Sequence, residues 1–334
     1  MRVDVTAEQS LSPESAVSAE KDGYDAIWFG ETGHDPFVSI ALAAQSTSRL
    51  QLGTGVAIAL ARSPMTLAMT ANDLQLVSEG RLLLGLGAQV KAHITRRFSM
   101  PWVQPIGQMR EFVLAVQAIW RSWHDGEKLD FQGDYYSHTL MTPFFNPGPN
   151  PYGPPPVLLA GVGAKMTGLA GEVADGFMCH GFATERYLRE VVVPNLRQGR
   201  GKVGRNLDDF EISGLPFVVT GVTEEQMAAS AAGMREQIAF YAATPAYRPV
   251  LELHGWGDLQ TELNAMTKAG RWKEMGGLID DEVLDTFAVV AEPDEVADAV
   301  LNRYQGVFTR MHLYLKNEID REVLITIREQ LRAG

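Results

Sequence analysis

The sequence predicts an α/β protein, and more specifically a (β/α)8 TIM barrel with insertions after its fourth and seventh strands. Four apolar runs in the first half of the chain each end in a small, polar or acidic cluster: 26–31, 50–56, 82–87 and 157–163. A segment with helical spacing follows each run, which is the pattern of buried parallel strands joined by helices. Eight strands in all alternate with helices, and a doubly wound open sheet is the alternative, because local patterns do not reveal closure.

The first half of the chain follows a regular strand–helix rhythm. Strands are predicted at 3–6, 26–30, 50–58 and 82–86. Three pairs combine an N-cap residue with a proline at the first helical position, and so predict helix starts: Ser12-Pro13, Asp35-Pro36 and Ser63-Pro64. Gly23 and Glu79-Gly80 are predicted to end the first and third helices.

The second half continues the alternation less regularly. The remaining strands are predicted at 157–160, 177–180, within 212–220 and at 310–315. Helices are predicted at 108–123, 165–174, 185–198, 223–242, from 292–294 onward and at 320–331. We interpret 1–334 as one domain with insertions at about 88–106, 124–156 and 244–292. The second insertion contains a two-stranded excursion over 126–138, and the third is irregular with helical stretches near 258–274 and 280–287.

Composition limits the possible partners. The chain has 334 residues and a formal net charge of −12, which argues against a nucleic-acid surface. Its single cysteine, Cys179, excludes an internal disulfide and fits a reducing cytosol. No leader pattern is found, and no apolar run approaches the ~20 residues that cross a bilayer. We therefore expect a cytoplasmic protein that acts on a small molecule, without a nucleic-acid or membrane partner.

The candidate site follows from the strand ends, because ligands of a barrel meet the carboxyl ends of its strands. Most residues there are small or uncharged, which lets a flat ligand approach the backbone. The candidates are Glu31, Gly55, Val56, Gly87, Ala88, Gln89, Ala160, Gly161, Val162, Gly163, Cys179 and His180. The segment 161–163 precedes a helix start, where backbone N–H groups favour phosphate. A tight strand-to-helix turn with no ligand is the alternative there.

Three of these candidates carry reactive side chains. Glu31 is interpreted as a general base or as an acceptor for a cofactor ring, and alternatively as a carboxylate tied to a neighbouring backbone N–H. His180 either contacts a ligand or is a satisfied core histidine. Cys179 lies in an apolar strand and is interpreted as a small hydrophobe rather than a nucleophile. The histidines are scattered, so no metal site is predicted.

Several segments together resemble the bacterial luciferase-like superfamily, whose members bind FMN or the deazaflavin coenzyme F420. The segments are 24–31, 52–56, 78–87 and 157–181. The resemblance implies a ring over the barrel mouth, with Glu31 near its polar edge. It also implies that Gly55-Val56, often a non-prolyl cis peptide in the family, supports the ring's back face. Residues 87–89 and 161–163 would hold the phosphate tail. His34 is our own candidate for proton chemistry, in place of an acid–base pair that members of the family carry and this chain lacks.

Departures from the family pattern shape the functional hypotheses. Sugar-phosphate dehydrogenases of this family carry a histidine and a glutamate where this chain has Thr32 and Val90. The main hypothesis is an F420-dependent oxidoreductase that transfers hydride to or from another small organic substrate. The family also implies a homodimer. The alternatives are an FMN-dependent monooxygenase supplied by a separate flavin reductase, and a non-catalytic flavin- or deazaflavin-binding protein.

Overall fold

The strands of the computed structural model, which describes residues 1–7 and 11–334, form one large parallel sheet and two small ones. Numbered along the chain, they are β1 (Arg2–Val3), β2 (Val5–Thr6), β3 (Ala26–Phe29), β4 (Gln51–Thr54), β5 (Ala57–Ile58), β6 (Leu82–Gly87), β7 (Phe131–Gln132), β8 (Ser137–His138), β9 (Val157–Gly161), β10 (Gly176–Cys179), β11 (Glu211–Gly214), β12 (Phe217–Val219), β13 (Ala288–Val290) and β14 (Arg310–Met311). In the large sheet, hydrogen-bonded neighbours follow the order β1-β14-β11-β10-β9-β6-β4-β3-β2.

The large sheet closes on itself. β1 and β2 are two halves of one strand, interrupted at Asp4, and β1 pairs with β14 while β2 pairs with β3. β4 and β5 are likewise halves of the third strand, separated by Gly55 and Val56. The predicted TIM barrel is confirmed. The doubly wound open sheet is excluded because an open sheet ends in two different edge strands, whereas here both ends of the strand order belong to the same strand.

Helices surround this barrel. They are α1 (Glu14–Lys21), α2 (Pro36–Ser46), α3 (Pro64–Val77), α4 (Pro105–His124), α5 (Ala164–Val173), α6 (Glu185–Tyr187), α7 (Val193–Lys202), α8 (Glu224–Ala242), α9 (Arg248–Glu252), α10 (Gly257–Lys268), α11 (Asp281–Phe287), α12 (Val296–Tyr304) and α13 (Arg321–Ala333). The Asp35 carboxylate accepts from the Phe37 N–H at 2.9 Å, and the Ser63 hydroxyl accepts from the Thr66 N–H at 3.1 Å, so these two of the three predicted caps are confirmed. The first helix begins at Glu14, one residue later than predicted, and the Glu14 N–H donates to the Ser12 hydroxyl at 3.2 Å. Over the described ranges, no helix combines the length and the apolar character that crossing a membrane requires.

The segment predicted as the seventh strand divides into two. Glu211–Gly214 lies in the barrel, whereas Phe217–Val219 pairs in parallel with Ala288–Val290 outside it. Pro216, which has no N–H to donate, lies between them, and its carbonyl accepts from the Tyr314 N–H at 2.8 Å. The strand at 288–290 was not predicted, since three apolar residues directly after a helix look like its continuation.

The insertion at 244–292 is more ordered than predicted. Three helices, α9 to α11, and a 3-10 turn over Trp272–Leu278 occupy it. Val250, Leu251 and Leu263 have no exposed surface, so this segment buries its own apolar side chains against the rest of the protein. Burial of apolar area orders a segment that has weak local signals.

Two apolar clusters make up the core. The smaller one fills the barrel interior and is built from Ala26, Trp28, Leu83, Leu158 and Met178. Residues next to these along each strand belong to the larger cluster, which lies between the barrel and its helices. This alternation follows the two-residue period of a strand and tells which side chains face the barrel interior.

Candidate active site at the carboxyl ends of the barrel strands

Trp28 forms the floor of the barrel mouth. Its side chain is fully buried, and its indole N–H donates to Asp4 Oδ2 at 2.9 Å. A Cβ at Gly53 would overlap the Trp28 ring, and one at Gly85 would overlap the Met178 sulfur. These two glycines are therefore small because other side chains fill the interior, which differs from the ligand-approach explanation given to the strand ends from sequence.

The third strand is interrupted at the mouth. The peptide bond between Gly55 and Val56 is cis, as the family resemblance implies. A Cβ on Gly55 would lie 3.0 Å from the Trp28 Cβ, so the chain passes directly over the floor. A Cβ on Gly87 would lie 2.7 Å from Val56 Cγ2, so the missing side chain lets the ends of the third and fourth strands touch.

Glu31 is tied to the segment that follows the cis peptide. Its two carboxylate oxygens accept from Arg62 at 2.6 and 2.8 Å, and Oε2 also accepts from the Ile58 N–H at 2.7 Å. Its side chain is only 7% exposed. The backbone tie that the sequence analysis gave as the alternative is thus present, and the catalytic role stays a prediction.

Arg62 completes this cluster, which we call the Glu31–Arg62 clamp. It also donates to Asp35 Oδ2 at 3.1 Å and to the Ile58 carbonyl at 3.0 Å. Burial alone would lower the pKa of Arg62, but the hydrogen bonds and charges of Glu31 and Asp35 outweigh it, so its pKa is raised. The clamp is an ion-paired brace that fixes residues 57–62 against the end of β3.

The end of β9 leads into a helix start that is open. Ala160, Gly161 and Val162 are half-buried, and Gly163 is exposed at the N-cap of α5. Among the described residues no side chain caps this helix, and a Cβ on Gly163 would meet nothing within 4 Å. Packing does not require glycine there, and backbone N–H groups at a helix start favour an anion.

The loop after β6 is shaped by Gln89. This residue is exposed, has φ +61°, and its side-chain oxygen accepts from the Val90 N–H at 2.9 Å. Ala88 beside it is half-buried. Asn and Asp side chains that bond the local backbone support left-handed turns, and Gln89 makes a bond of the same kind to the next residue.

Cys179 and His180 lie at the end of β10 in different environments. Cys179 is buried, and burial raises the pKa of its thiol, as expected for a small hydrophobe. His180 Nδ1 accepts from the Phe182 N–H at 3.0 Å, so in the neutral ring Nε2 carries the proton and donates to Tyr247 Oη, 3.2 Å away. Burial lowers the pKa of His180 to about 4, which keeps the ring neutral at neutral pH. Both ring nitrogens are satisfied within the protein.

Comparison of the sequence with models of protein families identifies the family of this chain. The model for luciferase-like monooxygenases matches residues 7–310. The chain belongs to the luciferase-like monooxygenase family.

Similarity to individual proteins agrees with this assignment. An uncharacterized protein of Mycobacterium tuberculosis is 52% identical over 298 residues, covering 89% of this chain and 88% of that protein. A 5,10-methylenetetrahydromethanopterin reductase of Methanolobus tindarius is 27% identical, covering 83% and 81%. An F420-dependent glucose-6-phosphate dehydrogenase of Mycolicibacterium gilvum is 29% identical, covering 59% and 61%.

Solved structures show the same fold. The coenzyme F420-dependent tetrahydromethanopterin reductase of Methanopyrus kandleri superposes with a TM-score of 0.80 at 19% identity, covering 99% of this chain and 98% of that one. The oxygenating constituent of 3,6-diketocamphane monooxygenase from Pseudomonas putida, solved with FMN, gives a TM-score of 0.68 at 17% identity, covering 99% and 96%. The luciferase-like chain is thus an oxidoreductase, within a family of F420-dependent oxidoreductases and FMN-dependent monooxygenases.

Some candidates do not join the cluster at the mouth, and two residues were missed. His34 is exposed on the loop before α2, and no hydrogen bond, ion pair or ring contact of its side chain is found within the described ranges. Ser213 and His312 were not singled out, although both lie at strand ends inside the luciferase-like barrel. The seventh and eighth strands lack glycine-tipped apolar runs, so only the strand-end rule itself pointed to them.

Other features lie away from this site. A cavity of about 750 Å³ opens at the opposite end of the barrel, between Trp120, Pro156, Asp175 and Arg200. Because these residues precede the strands or lie on outer helices, the cavity belongs to the face of a barrel that supports stability rather than chemistry. In residues 1–7 and 11–334, no group of three or more His, Cys, Asp or Glu side chains is placed to hold a metal ion.

Proposed function

We propose that this luciferase-like chain is an F420-dependent oxidoreductase that transfers hydride between the deazaflavin and a small organic substrate. The observation that carries the proposal is the cofactor of its relatives: an F420-dependent dehydrogenase is 29% identical over 213 residues. The barrel mouth supports it, since a flat ring needs an apolar floor and its phosphate tail needs an anion site. Trp28 and the open start of α5 provide these two features.

The residues present fit such a cofactor. Gly161, Val162 and Gly163 would hold the phosphate at the N-terminus of α5, where a Cβ on Gly163 would point into open space. Gly55 and Val56 would support the ring, beside the end of β6 with Gly87. When bound, the cofactor supplies the hydride donor or acceptor, and the protein supplies position and a dry environment.

The protein's own side chains then have separate tasks. The Glu31–Arg62 clamp keeps the ring support in place, because Glu31 accepts from the Ile58 N–H and Arg62 donates to the Ile58 carbonyl. Neutral His180 holds Tyr247 over the end of β10. Thr32 and Val90 replace the acid–base pair of the sugar-phosphate dehydrogenases, so we propose a substrate other than a sugar phosphate.

The experiment is a titration of the purified protein with F420 and, separately, with FMN, followed by absorbance and tryptophan fluorescence. We expect micromolar F420 binding, followed by F420 oxidation or reduction with a panel of alcohols and carbonyl compounds. Micromolar FMN binding without any F420 response would contradict the proposal. Binding of either cofactor without turnover on the panel would favour a non-catalytic binding protein.

An FMN-dependent monooxygenase is the second candidate, and the fold shared with an FMN-bound monooxygenase favours it. This enzyme would depend on a separate flavin reductase. Formation of an oxygenated product from the substrate panel in air, with reduced FMN supplied by an added reductase, separates the two candidates, because hydride transfer with F420 requires no oxygen. The reductase and FMN without this protein are the control, since free reduced FMN itself reacts with oxygen.

We also propose that the chain forms a cytoplasmic homodimer. Large apolar side chains are exposed on the adjacent helices α2 and α3, among them Val38 at 50% and Met69 at 54%. Burial of such surface against a second copy would remove it from water. Light scattering on the eluted protein should give twice the 36.7 kDa of one chain; the mass of one chain would contradict the dimer.

A further inference from the structure

Two polar side chains inside the barrel have buried atoms without a partner. They are Ser213 Oγ and His312 Nδ1, and no hydrogen bond to either is found within residues 1–7 and 11–334. Ser213 is 1% exposed and His312 is 9% exposed. A buried polar group without a partner is costly, so each such group in a native protein requires an explanation.

Both side chains face the same interior space. Ser213 is in register with Met178, which belongs to the interior cluster, and with Arg310 on the other side. His312 lies two residues beyond Arg310, and therefore on the same face of the strand. The backbone N–H of His312 donates to the Gly214 carbonyl at 3.1 Å, which places His312 beside the end of β11. The His312 ring lies 6.4 Å from the Trp28 ring, centroid to centroid, so the two residues border the floor of the mouth.

Their position separates them from the proposed cofactor residues. Those residues lie at the ends of β3, β4, β6, β9 and β10, whereas Ser213 and His312 belong to β11 and the end of β14. Ser213 and His312 therefore lie on the side of the mouth where no residue is proposed to contact the cofactor. Trp28 and Met178 beside them contribute apolar surface. The guanidinium of Arg310 on the same face is already bonded to Asp4, Glu211 and Gln51, so Ser213 and His312 are left to offer hydrogen-bonding atoms on this wall.

We infer that Ser213 and His312 together bind an oxygen-bearing group, a carbonyl or a hydroxyl, of the ligand held in the barrel mouth. A serine hydroxyl can both donate and accept a hydrogen bond, and Nδ1 of a neutral imidazole donates or accepts according to the tautomer. The pair can therefore bind a hydroxyl oxygen, which donates and accepts, or a carbonyl oxygen, which only accepts. Burial lowers the pKa of His312 to about 4, so the ring acts as a neutral hydrogen-bonding group. The inference rests on the proposed function, and the oxygen belongs either to the substrate or to the cofactor ring.

The first test separates ligand binding from structure. Ser213→Ala and His312→Leu remove polar atoms that have no protein partner, so both variants should melt at or above the wild-type temperature without ligand. His312→Asn keeps a polar atom near the Nδ1 position and should retain most ligand affinity. His138→Leu is the matched control, because His138 Nε2 is also buried and unpartnered but lies on the β7–β8 hairpin outside the barrel.

The second test identifies the source of the oxygen. F420 affinity is measured by fluorescence, and the His312 ring signal is followed by NMR on histidine-labelled protein as acetone or 2-propanol is added to the F420 complex. If F420 affinity falls at least tenfold in Ser213→Ala and His312→Leu, the pair holds the cofactor ring. If F420 affinity is unchanged and the His312 signal shifts only with acetone or 2-propanol, the pair holds the substrate.

Two results would overturn the inference. One is a large loss of melting temperature in Ser213→Ala, which would show that its hydroxyl has a structural partner. The other is a His312 signal and an F420 affinity that respond to no probe and no variant. Wild-type protein that binds no F420 refutes the proposed function instead; acetone and 2-propanol then test the pair on the cofactor-free protein, by the same NMR signal.

Discussion

At the scale of single residues, Glu31 shows what the structure adds to an acid predicted from the sequence. The sequence places one carboxylate at the end of a buried strand, which is a common position for a catalytic group. The structure adds Arg62, which occupies both carboxylate oxygens, and the Ile58 N–H. A carboxylate bonded at both oxygens is fixed in orientation, so Glu31 positions the neighbouring backbone, and its catalytic role stays a prediction.

Loss of the clamp should lower stability and cofactor affinity together. We expect Arg62→Met to cost about 2–4 kcal/mol of unfolding free energy, because it leaves Glu31 buried without its cation. F420 affinity should fall about tenfold or more. Arg110→Met is the control: its ion pair with Glu172 involves an arginine side chain that is 50% exposed, and such pairs contribute less than about 1 kcal/mol. Urea unfolding measures the unfolding free energy of both variants, and equal losses in the two would contradict the role of the clamp as a brace.

His180 and His312 predict a specific acid sensitivity. Burial lowers the pKa of each to about 4, below the ordinary histidine value of 6.5. Between these values the unfolded chain binds a proton that the folded one does not, so stability falls as the pH drops from about 6.5 to about 4. Each histidine costs up to about 3 kcal/mol at the acidic end of this range. In His312→Asn, the loss of unfolding free energy from pH 8 to pH 4.5 should be smaller than in the wild type; an equal loss would refute the assignment.

At the scale of elements, the start of α5 differs from those of α2 and α3. Asp35 and Ser63 satisfy N–H groups at the starts of α2 and α3, while Gly163 leaves those of α5 without a side-chain cap in the described chain. The sequence alone left a phosphate cradle and a plain turn equally open. The open space around Gly163 favours the cradle, because packing provides no other reason for a glycine there.

Filling this space should weaken cofactor binding without unfolding the protein. We expect Gly163→Val to lower F420 affinity at least tenfold, since the side chain would occupy the volume in front of the helix start. The melting temperature should change by less than about 3 °C, because a Cβ there touches nothing and its φ of −83° suits any residue. Gly277→Ala is the control, as Gly277 also has open space around it but lies in the insertion. Unchanged F420 affinity in Gly163→Val would rule out the cradle.

At the scale of the whole molecule, a buried ion pair joins the two ends of the chain. Arg310 on β14 donates to both carboxylate oxygens of Asp4, at 2.6 and 3.0 Å, and neither side chain is exposed. Arg310 also donates to Glu211 and Gln51 and lies over the Trp28 ring. This network fills the barrel below the Trp28 floor and connects the first, second, third, seventh and eighth strands.

Removing one partner of this pair should destabilise the entire barrel. We expect Arg310→Met to cost about 3–5 kcal/mol, because it leaves the Asp4 carboxylate buried and uncompensated. Arg321→Met, which breaks the pair between Asp22 and an arginine side chain that is 56% exposed, should cost far less, because solvent screens the exposed partner. Thermal and urea unfolding provide the comparison. A loss in Arg310→Met as small as in Arg321→Met would show that the network is not required for closure.

Strand and helix positions were predictable where local patterns are strong. The caps at Asp35 and Ser63 and the runs ending in Gly87 and Gly161 all appear as predicted, because capping and strand burial depend on neighbouring residues. The strand at 288–290 was not predictable, since its partner, 217–219, lies about 70 residues away along the chain. Glu31 was found at the site because it follows an apolar run, whereas His312 has no such local signal.

The sequence by itself determined the alternation of strands and helices, the acidic charge, and the glycine-tipped strand ends that indicate a luciferase-like barrel. These properties depend on residues close together in the chain. Only the tertiary structure decided that the sheet closes, that Glu31 meets Arg62, that Asp4 meets Arg310, and that Ser213 and His312 share one interior wall. Each of these depends on strands that are distant in sequence and are brought side by side by the burial of apolar surface.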